Sequence, residues 1–321
     1  MSTNRTFTGK RITAGAGVII VAALLFMAGP RARVVPPAAN PAIPADVDAY
    51  LNAEESAVPR LKDWAKKRVY WNGARGRKTS WAVVFIHGFS ASRAELSPVC
   101  ERIAASLHAN LFMTRLAGHG SDDGDSMANV TAGDWMMDAR EALAVGHRLG
   151  DRVAVIGSST GATLALWLGL AGAGADALVL YSPNFGVADR RARLLVLPWG
   201  LQIGRALAGR YVDAPASSPA MARNWTTRYR MEGVVQMEAL SALVSGMDLK
   251  ALRTPVLVVY TPHDRVVDTG RIIGAYGGFG SPVKQLIRLE AAPGHVLGGD
   301  IRSPLTTGIL VKYTTDFLDR L

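Results

Sequence analysis

The stretch Val155-Ile156-Gly157-Ser158-Ser159-Thr160-Gly161 decides how this chain is read. Before and into it, Arg152 to Ile156 reads as a short buried strand. After it, Ala162 to Ala171 is almost wholly apolar and predicts a buried helix. The turn between them has the form G-x-S-x-G with Ser159 at its centre. Such a turn points a serine hydroxyl away from the backbone, at the carboxyl end of a parallel sheet. Glycines two before and two after the serine are required because strand and helix approach closely there. The new helix also aims its free N–H groups toward the serine, where negative charge is stabilised. G-x-S-x-G alone is a weak signal, because Gly and Ser are common in loops. Its strand–turn–helix setting gives it weight.

Working outward, Trp81-Ala-Val-Val-Phe-Ile86 is a continuous apolar strand, as expected where both faces of a parallel sheet are covered. It runs into His87-Gly88-Phe89-Ser90. Arg68–Trp71 reads as an earlier strand, joined to it by a basic turn over 72–80, which predicts a solvated hairpin. Glycine and lysine occur in that turn, but the spacing does not fit a phosphate loop. A helix over Ala94–Ala109 and a strand over Leu111–Arg115 follow, then the Gly118-His119-Gly120 loop. Thr131 is the expected N-cap of a helix reaching Leu149. Beyond the serine turn, strands are expected at Ala177–Tyr181, Pro255–Tyr260 and Lys284–Leu289, with a closing helix from about Ser303 to Leu321. Between Phe185 and Leu252 the alternation breaks, leaving a long helical pattern without a clear strand. Regular strand–helix alternation implies a mostly parallel sheet with right-handed crossovers, and the interruption reads as an inserted cap.

The chain has 321 residues, 49% of them hydrophobic, enough for one large α/β domain with an appendage. Cys100 is its one cysteine, so no intrachain disulfide is possible; it reads as a small buried hydrophobe. Half of the net charge of +10 lies in Arg5, Lys10, Arg11, Arg31 and Arg33, with no acid before Asp46. The remaining excess is modest and carries no nucleic-acid motif, so DNA and RNA are excluded as partners. Residues 1–11 form a basic tail. Residues 12–29 hold no charge and span about 27 Å as a helix, which predicts a transmembrane signal anchor, with a cleaved signal peptide as the competing reading. The positive-inside rule then favours the periplasmic or extracytoplasmic side for the folded domain. Residues 30–45, rich in Pro and Ala, predict an extended linker to a domain over 46–321.

Serine becomes a nucleophile only when a base removes its proton, and the base needs an orienting carboxylate. Ser159, Asp264 and His295 each fall directly after an expected strand, in the order Ser…Asp…His. Asp268 competes with Asp264 but should already have entered the next helix. His87 and His119 lie on loops at the same end of the sheet, while His108 and His147 read as helix-surface residues. No clustering of His, Cys or carboxylates suggests a metal, and no cofactor is implied.

In these positions and motifs the chain resembles the α/β-hydrolase family, in its monoacylglycerol lipase and carboxylesterase branch. The supporting motifs are His87-Gly88-Phe89, Gly118-His119-Gly120, Gly157–Gly161, Asp264-Arg265-Val266-Val267 and Gly294-His295-Val296. The resemblance implies an α/β-hydrolase fold with a mostly parallel sheet flanked by helices and a helical cap at about 187–249. It also implies a serine carboxylic-ester hydrolase working through an acyl-enzyme, with Ser159, His295 and Asp264 as triad. The backbone N–H groups of Phe89 and Thr160 would form the oxyanion hole, and His87 and His119 would be structural supports. Ser158 departs from the family, which more often has a larger residue there. Hydrolysis of thioesters or amides, transacylation, and a non-catalytic ligand-binding role are the alternatives. The substrate class expected is a small, lipid-like acyl ester, with Leu194–Leu201 of the cap supplying an acyl pocket over the serine.

Overall fold

The computed structural model describes residues 19–121 and 123–321. Its strands in chain order are β1 (Arg68–Tyr70), β2 (Thr79–Ile86), β3 (Asn110–Met113), β4 (Gly150–Ser158), β5 (Ala177–Tyr181), β6 (Tyr211–Asp213), β7 (Arg228–Arg230), β8 (Val256–Tyr260) and β9 (Lys284–Arg288). Seven of them form one sheet in the order β1-β3-β2-β4-β5-β8-β9. Every seam is parallel except that between β1 and β3. The four central strands carry unbroken apolar runs because helices cover both faces. Val84 and Ile86 enter one core cluster beneath the helices Ala132–Leu149 and Thr160–Leu170, while Val83 and Phe85 enter the other, beneath Val99–Ser106 and Thr307–Leu318. This is the mostly parallel sheet expected from the alternation, and it carries its loops to the carboxyl ends of β2, β4, β8 and β9.

Local signals account for the helix starts. Thr131 and Asp134 form a reciprocal capping box at the head of the 132–149 helix. Asp268 caps the helix Thr269–Gly278 by accepting from the N–H groups of Gly270 and Arg271. The helix expected from Ala94 begins only at Val99, after a single 3-10 turn over Arg93–Glu95.

Three expectations are corrected. The strands β1 and β2 do not form a hairpin: β1 pairs with β3, which lies between them. The basic stretch after β1 is therefore a connection across a strand, and the register is set by β3 rather than by the turn. The cap is not purely helical, because β6 and β7 pair antiparallel within it; at three residues each, they are too short to show a period of two in sequence. The transmembrane anchor also fails. Residues 19–27 are helical and exposed, and the helix ends before Gly29-Pro30, as proline cannot continue a helix. Among the described residues no helix is long and apolar enough to cross a membrane. Membrane anchorage and the extracytoplasmic placement derived from it are withdrawn on that finding; residues 1–18 lie outside the described residues.

The Pro/Ala-rich segment 30–45 is extended and lies against the domain. Pro30 accepts the Trp199 N–H of the cap at 2.8 Å, Arg148 Nε donates to the Ile43 carbonyl at 2.9 Å, and Ile43 is buried. The helix Val47–Ser56 that follows is held by a buried ion pair, Arg115 Nη2 to Glu55 Oε1 at 2.7 Å, with both side chains less than a tenth exposed. Arg115→Ala leaves the Glu55 carboxylate buried without its partner. Chemical denaturation should show a loss of about 3–5 kcal/mol, whereas replacing both residues by leucine or methionine should cost far less. An Arg115→Ala protein as stable as wild type would contradict this reading.

Candidate active site

Ser159 stands between the end of β4 and the helix Thr160–Leu170, with φ 53° and ψ −115°. Such a conformation is strained for a residue with a side chain and persists only where surroundings fix it. Here the Ser159 N–H donates to the Tyr181 carbonyl at 2.9 Å, and the Ser159 carbonyl accepts from Ala162 and Thr163. The flanking glycines are sterically required. A methyl at Gly157 would meet Ala162 Cα at 2.5 Å, and one at Gly161 would meet the His87 carbonyl oxygen at 2.7 Å. The close approach expected from G-x-S-x-G is thus present, and it packs the serine turn against the end of β2.

Asp264 follows β8 and His295 follows β9. His295 Nδ1 lies 2.7 Å from Asp264 Oδ2, and the Asp264 side chain is completely buried. The other carboxylate oxygen accepts from the N–H groups of Val266 at 2.8 Å and Val267 at 3.0 Å. Burial opposes ionisation of Asp264, but the bonds from His295, Val267 and Val266 outweigh it and hold the group below the usual carboxylate range. A buried carboxylate fixed in this way orients the imidazole and leaves Nε2 free to face the cavity. Asp268, the competing acid, is spent on its helix cap.

Ser159, His295 and Phe89 line one cavity of about 420 Å³ beneath the cap. The backbone N–H groups of Phe89 and Thr160 donate to no acceptor among the described residues. Phe89 sits on a loop fixed by two buried histidines. His87 Nε2 accepts the Leu116 N–H at 3.1 Å, and His119 Nε2 accepts the Ser90 N–H at 3.0 Å. Burial pushes His87 down to about 4 and His119 well below its ordinary value, so both stay neutral and keep these acceptor roles. Phe89 itself stands edge-on to His119, Trp135 and the cap residue Tyr229. The cap is joined to the same loop directly, because the Thr226 N–H donates to the Ser90 carbonyl at 2.7 Å.

The cap contributes to the cavity from places that the sequence did not single out. Met221, Trp225, Tyr229 and Met237 line it, with Val212 of β6. The Leu194–Leu201 run does not. Leu195 is buried in a small cap core with Met231 and Val235, while Leu194, Leu197 and Trp199 remain partly exposed. The run reads as one apolar stretch, but its tight turns distribute the side chains between the cap core and the outer surface. Glu95 was also missed as a cavity residue. Its only sequence signal is an acid placed near the start of the expected helix Ala94–Ala109. Among the described residues no group of His, Cys, Asp or Glu could hold a metal ion.

A family model described as "Serine aminopeptidase, S33" (Hydrolase_4) matches residues 77–296. The chain belongs to that family. The match runs from just before β2 to the residue after His295, so it includes the serine turn, the cap and the Asp264 loop. No curated protein matches the chain. Among solved structures, one reported for the metagenome-derived lipolytic enzymes LipS and LipT aligns with a TM-score of 0.67 at 19% identity, covering 81% of this chain and 100% of that one. The monoglyceride lipase of Saccharomyces cerevisiae aligns at TM-score 0.61 and 13% identity, covering 79% and 91%. The monoacylglycerol lipase of Paleococcus ferrophilus does so at 0.59 and 12%, covering 78% and 97%. At these identities the similarity establishes the shared fold. With the family, it makes the S33 member an α/β-hydrolase.

Proposed function

We propose that the protein is a serine carboxylic-ester hydrolase in which Ser159 is the nucleophile, His295 the general base and Asp264 the orienting acid. The observation carrying this reading is the buried Asp264–His295 pair at 2.7 Å, with His295 on the same cavity as the strained Ser159 turn. In the first half-reaction His295 takes the Ser159 proton as the oxygen attacks the acyl carbon. The resulting oxyanion is met by the Phe89 and Thr160 N–H groups, and the alcohol leaves with the proton from His295. Water, deprotonated by the same histidine, then releases the acid and restores Ser159.

The cavity favours an apolar acyl ester over an aminopeptidase substrate. Peptide hydrolysis from an N-terminus requires a free carboxylate to receive an ammonium group. The two cavity acids are Glu95 and Asp189: Glu95 accepts the Gly88 N–H, and Asp189 is bound by Arg191. Arg265 and Arg302 line the same space and repel a cation, whereas Phe89, Met221, Trp225, Tyr229 and Met237 offer apolar surface. The lipolytic enzymes among the structural neighbours are consistent with this substrate class.

Each methylene buried in such a pocket contributes about 0.8 kcal/mol, or about fourfold in kcat/KM where it is gained in the transition state. A panel of p-nitrophenyl esters should therefore show butyrate to decanoate turned over at least about tenfold more efficiently than acetate, and leucine p-nitroanilide not at all. Acetate as the best substrate would refute the acyl pocket, and efficient anilide cleavage would favour the peptidase reading.

A further inference from the structure

We infer that Glu95 is a positioning residue whose carboxyl ties the His87-Gly88-Phe89 loop to the turn carrying Ser159. This deepens the proposed function and rests on its reading of Ser159 as nucleophile. The side chain is 2% exposed, although it belongs to a single turn at the protein's carboxyl-end face. Glu95 Oε2 accepts the Gly88 N–H at 2.7 Å, and the Ser158 hydroxyl lies near enough to the carboxyl to favour its charged form. One group thus holds the residue before Phe89 by a hydrogen bond and lies beside the residue before Ser159. A methyl at Gly88 would lie 2.9 Å from Glu95 Oε1 and 3.2 Å from Ser159 Cβ, so acid and nucleophile flank the same glycine.

The turn that carries Glu95 is fixed from a third side. The Asp300 N–H, on the loop after His295, donates to the Ser97 carbonyl at 2.9 Å. Gly299 packs so closely that a methyl there would meet the Glu95 carbonyl oxygen at 2.8 Å. The loops bearing Phe89, Ser159 and His295 therefore all touch residues 95–97. This arrangement also gives the small residue at 158 a reason. A larger side chain there would crowd the Glu95 carboxyl, both residues being buried.

Burial is the largest influence on the Glu95 carboxyl and raises its pKa; the Gly88 N–H, the charge of His295 and the Ser158 hydroxyl oppose that rise. The buried Cys100 thiol is pushed up chiefly by burial, with smaller contributions from the charges of Glu101 and Glu95. Glutamine, which keeps an acceptor for Gly88 and a polar partner for Ser158, should replace the Glu95 carboxyl.

Moving an oxyanion donor by a fraction of an ångström costs less than deleting it, for which about 10²–10³ in kcat is typical. The purified full chain is compared as wild type, Glu95→Ala, Glu95→Gln and Ser159→Ala. The readouts are kcat and KM on p-nitrophenyl butyrate, affinity for an alkyl trifluoromethyl ketone that mimics the tetrahedral adduct, and the melting temperature. Glu95→Ala should lower kcat about 10- to 100-fold with KM nearly unchanged, and weaken the ketone by the same factor. Glu95→Gln should restore both to near wild type. Should Glu95→Ala not fold, Ser158→Ala removes one tie from the other side and should lower kcat severalfold at constant KM. Wild-type kcat and ketone affinity in Glu95→Ala, or in Ser158→Ala where that variant is read, overturns the tie. So does a folded Glu95→Gln as impaired as the alanine variant. Ser159→Ala separates the two levels: if it retains turnover, the nucleophile itself is misassigned, whereas an inactive Ser159→Ala beside a normal Glu95→Ala refutes Glu95 alone.

Discussion

Replacing Ser159 by alanine is expected to lower kcat by about 10⁴- to 10⁶-fold, and replacing His295 by alanine to be comparably severe. The two losses should not multiply in the double variant, because nucleophile and base act as one unit. Stability should change little, since Ser159 is held by backbone bonds to Tyr181, Ala162 and Thr163 that alanine keeps. Ser158 stands beside it in sequence but ends β4 and turns into the interior. Its alanine variant should lose severalfold at most. An inactive Ser158→Ala with an active Ser159→Ala would mean that the turn is read one residue out of register. The comparison needs only steady-state kinetics on one chromogenic ester, with circular dichroism to establish that each variant is folded.

The second large effect concerns the acid. Asp264→Asn should cost about 10⁴ in kcat, because the amide cannot hold the imidazole in the tautomer that leaves Nε2 as base, nor stabilise the imidazolium. Asp264 is buried and ionised, and accepts from two backbone N–H groups as well as His295. Asp268→Asn is the matched control. Asp268 caps a helix, and asparagine caps about as well as aspartate, so both activity and stability should stay near wild type. Kinetics on the two variants decides the matter; the reverse ranking would move the acid to Asp268.

The seven sheet strands were legible because each central one is an apolar run bounded by a Gly-, Pro- or Ser-rich end, and a doubly covered sheet needs no alternation. Ser159, Asp264 and His295 could be proposed together because each lies in the stretch that follows a strand's carboxyl end. Pairing was less legible. The partner of β1 is set by β3, a strand distant in sequence, and no local turn chemistry records that choice. The cap was legible as an interruption but not in its parts. Its three-residue strands carry no period, and the apolar run at Leu194–Leu201 gave no sign of which side chains face the cap core.

Two other features show why composition alone misleads. The uncharged run over 12–29 satisfied a length criterion for a membrane span, yet its described part is a helix of only residues 19–27, stopped before Pro30. Glu95, in contrast, falls within the expected helix Ala94–Ala109, and no motif marks it. Its proposed role depends on Gly88, Ser158 and Gly299, which come from two loops and the end of β4 and meet only in the fold. Local sequence records turn chemistry and burial period; it does not record which loops converge.

The central claim, that Ser159 attacks the acyl group, is tested most directly by trapping the adduct. The protein is treated with a fluorophosphonate and then with a slowly deacylating ester, and the modified residue is located by peptide mass spectrometry. The account predicts a single stoichiometric adduct on Ser159 with both reagents, absent in Ser159→Ala and strongly slowed in His295→Ala. An adduct on any other residue, or undiminished labelling of Ser159→Ala, would contradict it.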